Sequence, residues 1–391
     1  MFERIYCKGE YHEAGGPGTF LLGKTEELLP SLIEEYAGKV QLIYLDPPFG
    51  TGDQFTLTIG RGKNKREYAA YSDTMERSEY LALMRRILEG CYQLLSPTGA
   101  LYMHIDYRYS AHFRLMLDEI FGEQNFQNEI IWAYKSGGRA TRYFARKHDV
   151  LLYYRKSKSV YFDIKAVGIP RGPERRNHMK RGIDEQGRLY FSIKSGGRIY
   201  RYYEDTPVFP SDVWDDIEHL HQRDPERTGY ATQKPEALLR RVILASSQPG
   251  SLVMDLFSGS GTSACVAAQN GRRFLVADSS PVSMQVCRSR LLKTGEEIGL
   301  FDSKHHLTLE YPDLVDAEMA QPPITVADGK ICLTNANEVS FWAIGTVRDG
   351  YFHSEVYDRR PVTGTNLVIP QLEEPVVEIS DHNGNSYFWK V

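Results

Sequence analysis

The chain has 391 residues, 41% of them hydrophobic and 25% charged, and a formal net charge of −4. That is enough to bury a large core and more than one small domain needs, with the balance of an ordinary soluble globular protein. No apolar run nears the ~20 residues that span a bilayer, Met1-Phe2-Glu3-Arg4 lacks the pattern of a secretory leader, and the 5 cysteines are scattered without ligand or disulfide spacing. The expected compartment is a reducing cytoplasm, with no metal.

Val40 to Leu45 reads as a buried strand that stops at Asp46. Ser78 to Leu95 carries apolar residues at helical spacing, among them Leu81, Met84, Ile87, Leu88 and Cys91. Pro97-Thr98-Gly99 breaks that helix. A strand from Ala100 to Ile105 follows, then a helix from Tyr109 to Phe121 closed by Gly122, then a strand from Asn128 to Tyr134. This alternation predicts an α/β fold.

The rhythm fails over 135–217, a stretch rich in Gly, Arg and Tyr with short strand-like pieces such as Val150 to Tyr154. Regular order returns with a helix from Pro235 to Ser246 and a strand from Leu252 to Leu256. A helix from Thr262 to Asn270, a strand from Phe274 to Ala277 and a helix from Pro281 to Leu292 complete this part. From Glu310 to Val391 the chain alternates apolar and polar residues and holds 13 acidic against 5 basic residues. This predicts a small acidic β-rich domain with little grip on phosphates. Four units follow: 1–134, 135–217, 218–309 and 310–391.

The modest net charge hides an asymmetry. Lys135 to Arg201 holds 18 Lys+Arg and 5 Asp+Glu, a balance of +13 that leaves −17 for the rest. Aromatic residues (Tyr190, Phe191, Tyr200, Tyr202, Tyr203) are interleaved with the charges, unlike a disordered basic tail. One basic segment in an acidic protein predicts docking on a polyanion. Its candidate contacts are Arg139, Arg142, Arg171, Arg175, Arg176, Arg198 and Arg201.

Two short motifs carry chemistry. Asp255-Leu256-Phe257-Ser258-Gly259-Ser260-Gly261-Thr262 lies between a strand and a helix, where glycines allow close backbone approach and the helix start offers free N–H groups. Asp278 ends the next strand, where a carboxylate can accept from ribose hydroxyls. Ala264 replaces the third glycine of a dinucleotide loop. This favours a nucleoside without a pyrophosphate, and S-adenosylmethionine fits.

The other motif, Asp46-Pro47-Pro48-Phe49, sits at a strand's carboxyl end. An aromatic amine is a poor nucleophile because its lone pair is delocalised. The Asp46 carboxylate and the Pro47 carbonyl can accept its two N–H bonds and free that lone pair to attack a methyl group. Pro47 and Pro48 stiffen the acceptors, and Phe49 can stack on the base.

These motifs, with Leu94-Leu95-Ser96-Pro97-Thr98-Gly99, Asn128-Glu129-Ile130-Ile131-Trp132 and Thr232-Gln233-Lys234-Pro235-Glu236, resemble the β-class of DNA amino-methyltransferases over about Leu22 to Leu309. The nearest flavour is the modification subunits of type III restriction–modification systems and related solitary adenine methyltransferases. The resemblance implies a doubly wound, Rossmann-like sheet in permuted order, an inserted target-recognition region and a small C-terminal domain. It also implies base flipping in duplex DNA and direct transfer to adenine N6, since Asp rather than Ser stands at the clamp's first position. Phe257, Gly259 and Gly261 would line the cofactor, Asp278 would take the ribose, and Lys234 would hold the methionine end. By resemblance alone, the partners are DNA, a second copy in a homodimer and a restriction-endonuclease subunit, in a cytoplasmic, nucleoid-associated setting. Cytosine N4 methylation, a non-catalytic DNA-recognition subunit, and methylation of RNA or a protein glutamine remain alternatives.

Overall fold

The computed structural model describes residues 3–5, 8–10, 18–48, 54–59, 66–72, 75–134, 140–171, 178–221, 223–298, 307–310, 321–359 and 361–391. Nine strands form the central sheet: β1 (Gly18–Leu22), β2 (Val40–Leu45), β3 (Leu95–Ile105), β4 (Phe126–Ala133), β5 (His148–Arg155), β6 (Val213–Trp214), β7 (Leu252–Asp255), β8 (Arg273–Asp278) and β9 (Leu307–Glu310). Their order is β6-β4-β5-β3-β2-β7-β8-β1-β9. From β3 to β9 all neighbours are parallel, while β5 runs antiparallel to both β3 and β4.

Both faces of the sheet are covered, as a mostly parallel sheet requires. Helices α1 (Thr25–Tyr36), α2 (Arg77–Leu94) and α3 (Ser110–Phe121) pack on one face; α4 (Glu236–Ser246), α5 (Thr262–Gln269) and α6 (Pro281–Ile298) pack on the other. β2 shows how the sequence sorts the faces. Val40, Ile43 and Leu45 meet Met84, Ile87 and Phe113, whereas Leu42 and Tyr44 meet the core built with Leu238, Val242 and Ala264. Truncating a side chain such as Phe113, 0% exposed, to Ala costs about 3–5 kcal/mol. The fold is a doubly wound α/β sandwich.

The expected helices form, with shifted ends. α3 stops at Gly122, whose φ of 85° suits only glycine without strain. Pro97-Thr98-Gly99 ends α2 and is absorbed as an irregularity at the start of β3, where pairing with β2 jumps from Val40↔Leu95 to Leu42↔Ala100. The segment 135–217 is not wholly outside the sheet. Its strand β5 lies between β3 and β4, because Val150, Leu151, Leu152 and Tyr154 are buried on both sides. What projects beyond it includes a three-stranded antiparallel sheet of Lys180–Ile183, Leu189–Ser195 and Arg198–Tyr203.

The C-terminal part is β-rich. Strands β10 (Val339–Arg348), β11 (Tyr351–Asp358), β12 (Val376–Asp381) and β13 (Ser386–Lys390) form a sheet whose edges are completed by Glu3–Ile5 and Lys8–Glu10 from the other end of the chain. The sequence assigns those two strands to the first domain. They are too short for local patterning to show their partner. Among the described residues no helix is long and apolar enough to cross a membrane.

Candidate active site

β2 and β7 are adjacent and parallel, with Leu42 opposite Val253 and Ile43 opposite Met254. Asp46 and the 255–262 loop, far apart in sequence, therefore leave the same sheet edge side by side. This is where an open α/β sheet places its ligands. Both motifs line one cavity of about 350 Å3, with Tyr44, Asp46, Pro48, Tyr230, Lys234, Asp255, Phe257, Ser258, Gly259, Thr262 and Asp278 in its wall.

On the clamp side, the Asp46 side chain is 15% exposed and its Oδ2 accepts from Lys234 Nζ at 2.5 Å. Oδ1 makes no hydrogen bond among the described residues. Pro47 is buried and Pro48 half-buried. Phe49 lies outside the described residues. Lys234 immediately precedes Pro235, the N-cap of α4, and its carbonyl accepts from Thr262 Oγ1 at 3.1 Å. Resemblance assigns Lys234 to the methionine end of the cofactor. In the structure its ammonium meets the clamp carboxylate, a partner no local sequence signal reveals.

The cofactor loop is held from several sides. Asp255 accepts from Phe257 N at 3.0 Å and Ser263 Oγ at 2.6 Å, so its carboxylate braces the loop. Burial pushes its pKa up to about 7, opposed by those hydrogen bonds and aided by the charges of Asp46 and Asp278. Asp278 accepts from Gly259 N at 2.8 Å and Ser280 N at 2.9 Å, and burial pushes its carboxyl above the ordinary value despite them. Thr25 Oγ1 donates to Leu256 O at 2.7 Å. Arg290, missed from sequence, donates to Ser260 O at 3.1 Å, Thr262 Oγ1 at 2.8 Å and Glu236 Oε1 at 3.0 Å.

The two glycines have different roles. Gly259, with φ 50°, lines the cavity, and a Cβ there would stand 3.4 Å from the Tyr230 ring. Gly261, with φ 74°, caps α5, and its missing Cβ faces Cys287 Sγ at 2.2 Å. Its smallness serves the packing of α5 on α6, not the approach of a ligand expected from sequence. Ser258 Oγ is buried in the cavity wall without a hydrogen-bond partner among the described residues. An orphaned hydroxyl beside a glycine cradle and the Asp278 carboxylate fits a polar nucleoside ligand.

The basic segment presents its charges on the small sheet. Ser192, Lys194, Arg201, Tyr190 and Tyr203 share one face by register. Arg201 lies 4.9 Å over the Tyr190 ring and Arg171 4.6 Å over Tyr202. Arg142, Arg198 and Arg201 are exposed, whereas Arg171 is half-buried. Arg139, Arg175 and Arg176 lie outside the described residues. Sequence reading missed a second cluster leading into β5. Arg146 donates to Tyr107 Oη at 2.7 Å and lies 4.8 Å over Tyr143, next to Phe144, which is 98% exposed.

Comparisons with known proteins give the family. Over 265 residues the chain is 28% identical to the type II methyltransferase M.HpaI of Haemophilus parainfluenzae, covering 68% of this chain and 71% of that one. The DNA adenine methyltransferase YhdJ of Escherichia coli is 26% identical over 241 residues, 61% of this chain and 71% of its own length. A shorter match, 26% over 153 residues, reaches the type III EcoP15I Mod subunit of Escherichia coli and covers 35% of this chain and 24% of that protein. The family model for DNA methylase, the N6/N4 methyltransferases, matches residues 40–287, well over half of the sequence, and the chain belongs to that family.

Proposed function

We propose that the protein transfers a methyl group from S-adenosylmethionine to the N6 amino group of adenine in duplex DNA. The observation that carries the reading is the carboxylate of Asp46, with Oδ1 available, in the wall of the same cavity as the Gly259 cradle and Asp278. The adenine reading draws support from the name of the Escherichia coli relative, a DNA adenine methyltransferase.

The amino group of a paired adenine is engaged inside the helix, so the base must leave the stack to be modified. Asp46 Oδ1 and the Pro47 carbonyl then accept its two N–H bonds, and the ion pair with Lys234 fixes the carboxylate's direction. Preorganised acceptors of this kind cost no rearrangement during reaction. Phe49 stacks on the extruded base. Gly259, Ser258, Phe257 and Asp278 hold the cofactor, which supplies an electrophilic methyl when bound. Arg142, Arg198 and Arg201 contact phosphates and set the register on DNA, with Arg139, Arg171, Arg175 and Arg176 in the same role. The biological setting we infer is restriction–modification or epigenetic marking, with a restriction subunit or a second copy of the chain as the partners to test by co-purification.

The deciding experiment incubates the protein with methyl-labelled S-adenosylmethionine and unmethylated genomic DNA, followed by digestion to nucleosides. Label in N6-methyl-2′-deoxyadenosine supports the reading, and label in N4-methyl-2′-deoxycytidine or in none overturns it. Asp46→Ala should abolish transfer while DNA affinity stays within about threefold, because the change removes an acceptor and no phosphate contact.

A further inference from the structure

A polar chain crosses the sheet beside the clamp, and the mechanism above leaves it unused. Tyr44 and Asp46 point to the same face of the β2 edge, being two residues apart. Leu45 pairs with Met103, so His104 on β3 lies next to Asp46. Leu151 of β5 pairs with His104, and Asp149 lies on the same face. The side chains connect in that order. Tyr44 Oη is 2.7 Å from His104 Nδ1, His104 Nε2 is 3.3 Å from Asp149 Oδ2, and Tyr134 Oη donates to Asp149 Oδ1 at 3.1 Å. Tyr44 is 2% and His104 0% exposed. The far end, the Asp149 side chain, is 14% exposed.

The donor directions follow from chemistry. Burial pushes the Asp149 carboxyl up, but the contact with His104, the Lys234 ammonium and the Tyr134 hydrogen bond outweigh it and hold it below the ordinary range. An ionised carboxylate only accepts, so His104 carries its proton on Nε2. In the neutral ring Nδ1 is the acceptor, and the Tyr44 hydroxyl donates to it. Tyr44 Oη is left with lone pairs, on a residue that lines the cavity.

We propose that Tyr44 takes up the proton released by the target amine, with His104 and Asp149 as positioning residues behind it. This rests on the function proposed above. When the amine nitrogen gains the methyl carbon it becomes cationic and must lose one proton. That proton passes to Tyr44 Oη as the tyrosine's own proton passes to His104 Nδ1. No tyrosinate forms, and the imidazolium is paired with Asp149 until the proton leaves to water at that end. The ionisable groups facing this chain are Asp46 and Lys234 from the clamp, Asp255 from the loop, and Asp106, Tyr134 and His219 from the strand edge.

The test compares wild type with Tyr44→Phe, His104→Gln, Asp149→Asn and Asp149→Glu. Tyr44→Phe should lower kcat about 10²-fold, as removal of a general base does, with KM for DNA and cofactor within about threefold. His104→Gln should lower kcat with KM for DNA and cofactor within about threefold, and Asp149→Glu should recover part of what Asp149→Asn loses. Independently of activity, 15N NMR of histidine-labelled protein should show His104 neutral and protonated at Nε2. A Tyr44→Phe enzyme within threefold of wild type, an Asp149→Glu enzyme no better than Asp149→Asn, or an Nδ1-protonated ring each overturns the relay. Wild-type protein that labels no adenine removes the proposed function, and the relay with it; wild type that labels adenine beside an unaffected Tyr44→Phe removes the relay alone.

Discussion

Replacing Arg288 by Met should release the C-terminal sheet from the methyltransferase core. Arg288 lies on α6, and its two terminal nitrogens donate to Glu378 on β12 at 2.8 and 2.7 Å. The side chains are 1% and 0% exposed, and the guanidinium lies 3.5 Å over the Phe341 ring. In the variant, Glu378 keeps, among the described residues, the hydroxyls of Ser380 at 3.1 Å and Ser386 at 2.9 Å. Stripping one partner from a buried pair costs about 3–5 kcal/mol, because the other charge is left in low dielectric. Replacing both, Arg288→Met with Glu378→Leu, should return to within about 2 kcal/mol of the parent, since Ser380 and Ser386 still bond each other at 2.8 Å. Native-state hydrogen exchange is the suitable assay, because a chain with several cores has no single unfolding free energy. Amides of β12 and β13 should exchange about 10³-fold faster in Arg288→Met. Cofactor affinity should fall as well. The turn at Gly384 packs on Pro281 at the start of α6, and Ser283 of that helix donates to the Gly259 carbonyl. Less than tenfold faster exchange, or a double variant as labile as the two single changes summed, would refute the reasoning.

Gly261→Val should destabilise the protein by about 2–5 kcal/mol, combining a left-handed backbone cost with overpacking against Cys287; a normal melting temperature with lost cofactor binding would contradict this. Asp255 gives a pH dependence. Its pKa is about 7 in the folded chain against an ordinary 3.8, so its contribution is fully present below about pH 4 and lost as pH rises through about 7. The loss is on the order of 4 kcal/mol by pH 8, and thermal melts of Asp255→Asn across this window should lack it. Arg201→Ala should weaken DNA binding evenly across sequences and reduce the salt slope of log affinity by about 1; a sequence-dependent loss at unchanged slope would point to base reading instead.

The parts of the fold legible in sequence are those with strong local signals. The apolar runs of β2 and β7 ending in Asp46 and Asp255 show buried strands that stop at chemistry. Gly122 and Pro97 mark helix ends by their backbone demands. What escaped depends on distant partners. β5 is eight residues inside a basic stretch, and only pairing with β3 and β4 makes it a core strand. Lys234 meets Asp46 across 188 residues. Gly261 looks like a ligand-facing glycine in any strand–loop–helix context, and only the packing of α6 shows otherwise. The polar residues Tyr44, His104 and Asp149 each interrupt an apolar strand without local cause, and that interruption is the signal available for them.

The order of the two motifs along the chain, clamp before cofactor loop, has no consequence for the chemistry itself. β2 and β7 are parallel neighbours, so their carboxyl ends share one edge whichever is made first. What the order changes is the support. Because the cofactor half comes late, α6 continues beyond the site, and its buried face holds the C-terminal sheet through Arg288 and Glu378 while its first turn holds the loop through Ser283 and its body through Arg290. The clamp is held by Lys234 from the start of α4, whose carbonyl is in turn bonded to Thr262 of the loop. Movement of α6 therefore reaches Gly259 directly and Asp46 only through Thr262 and Lys234. A lesion in the C-terminal sheet should accordingly raise KM for the cofactor before it lowers the rate of methyl transfer at saturation.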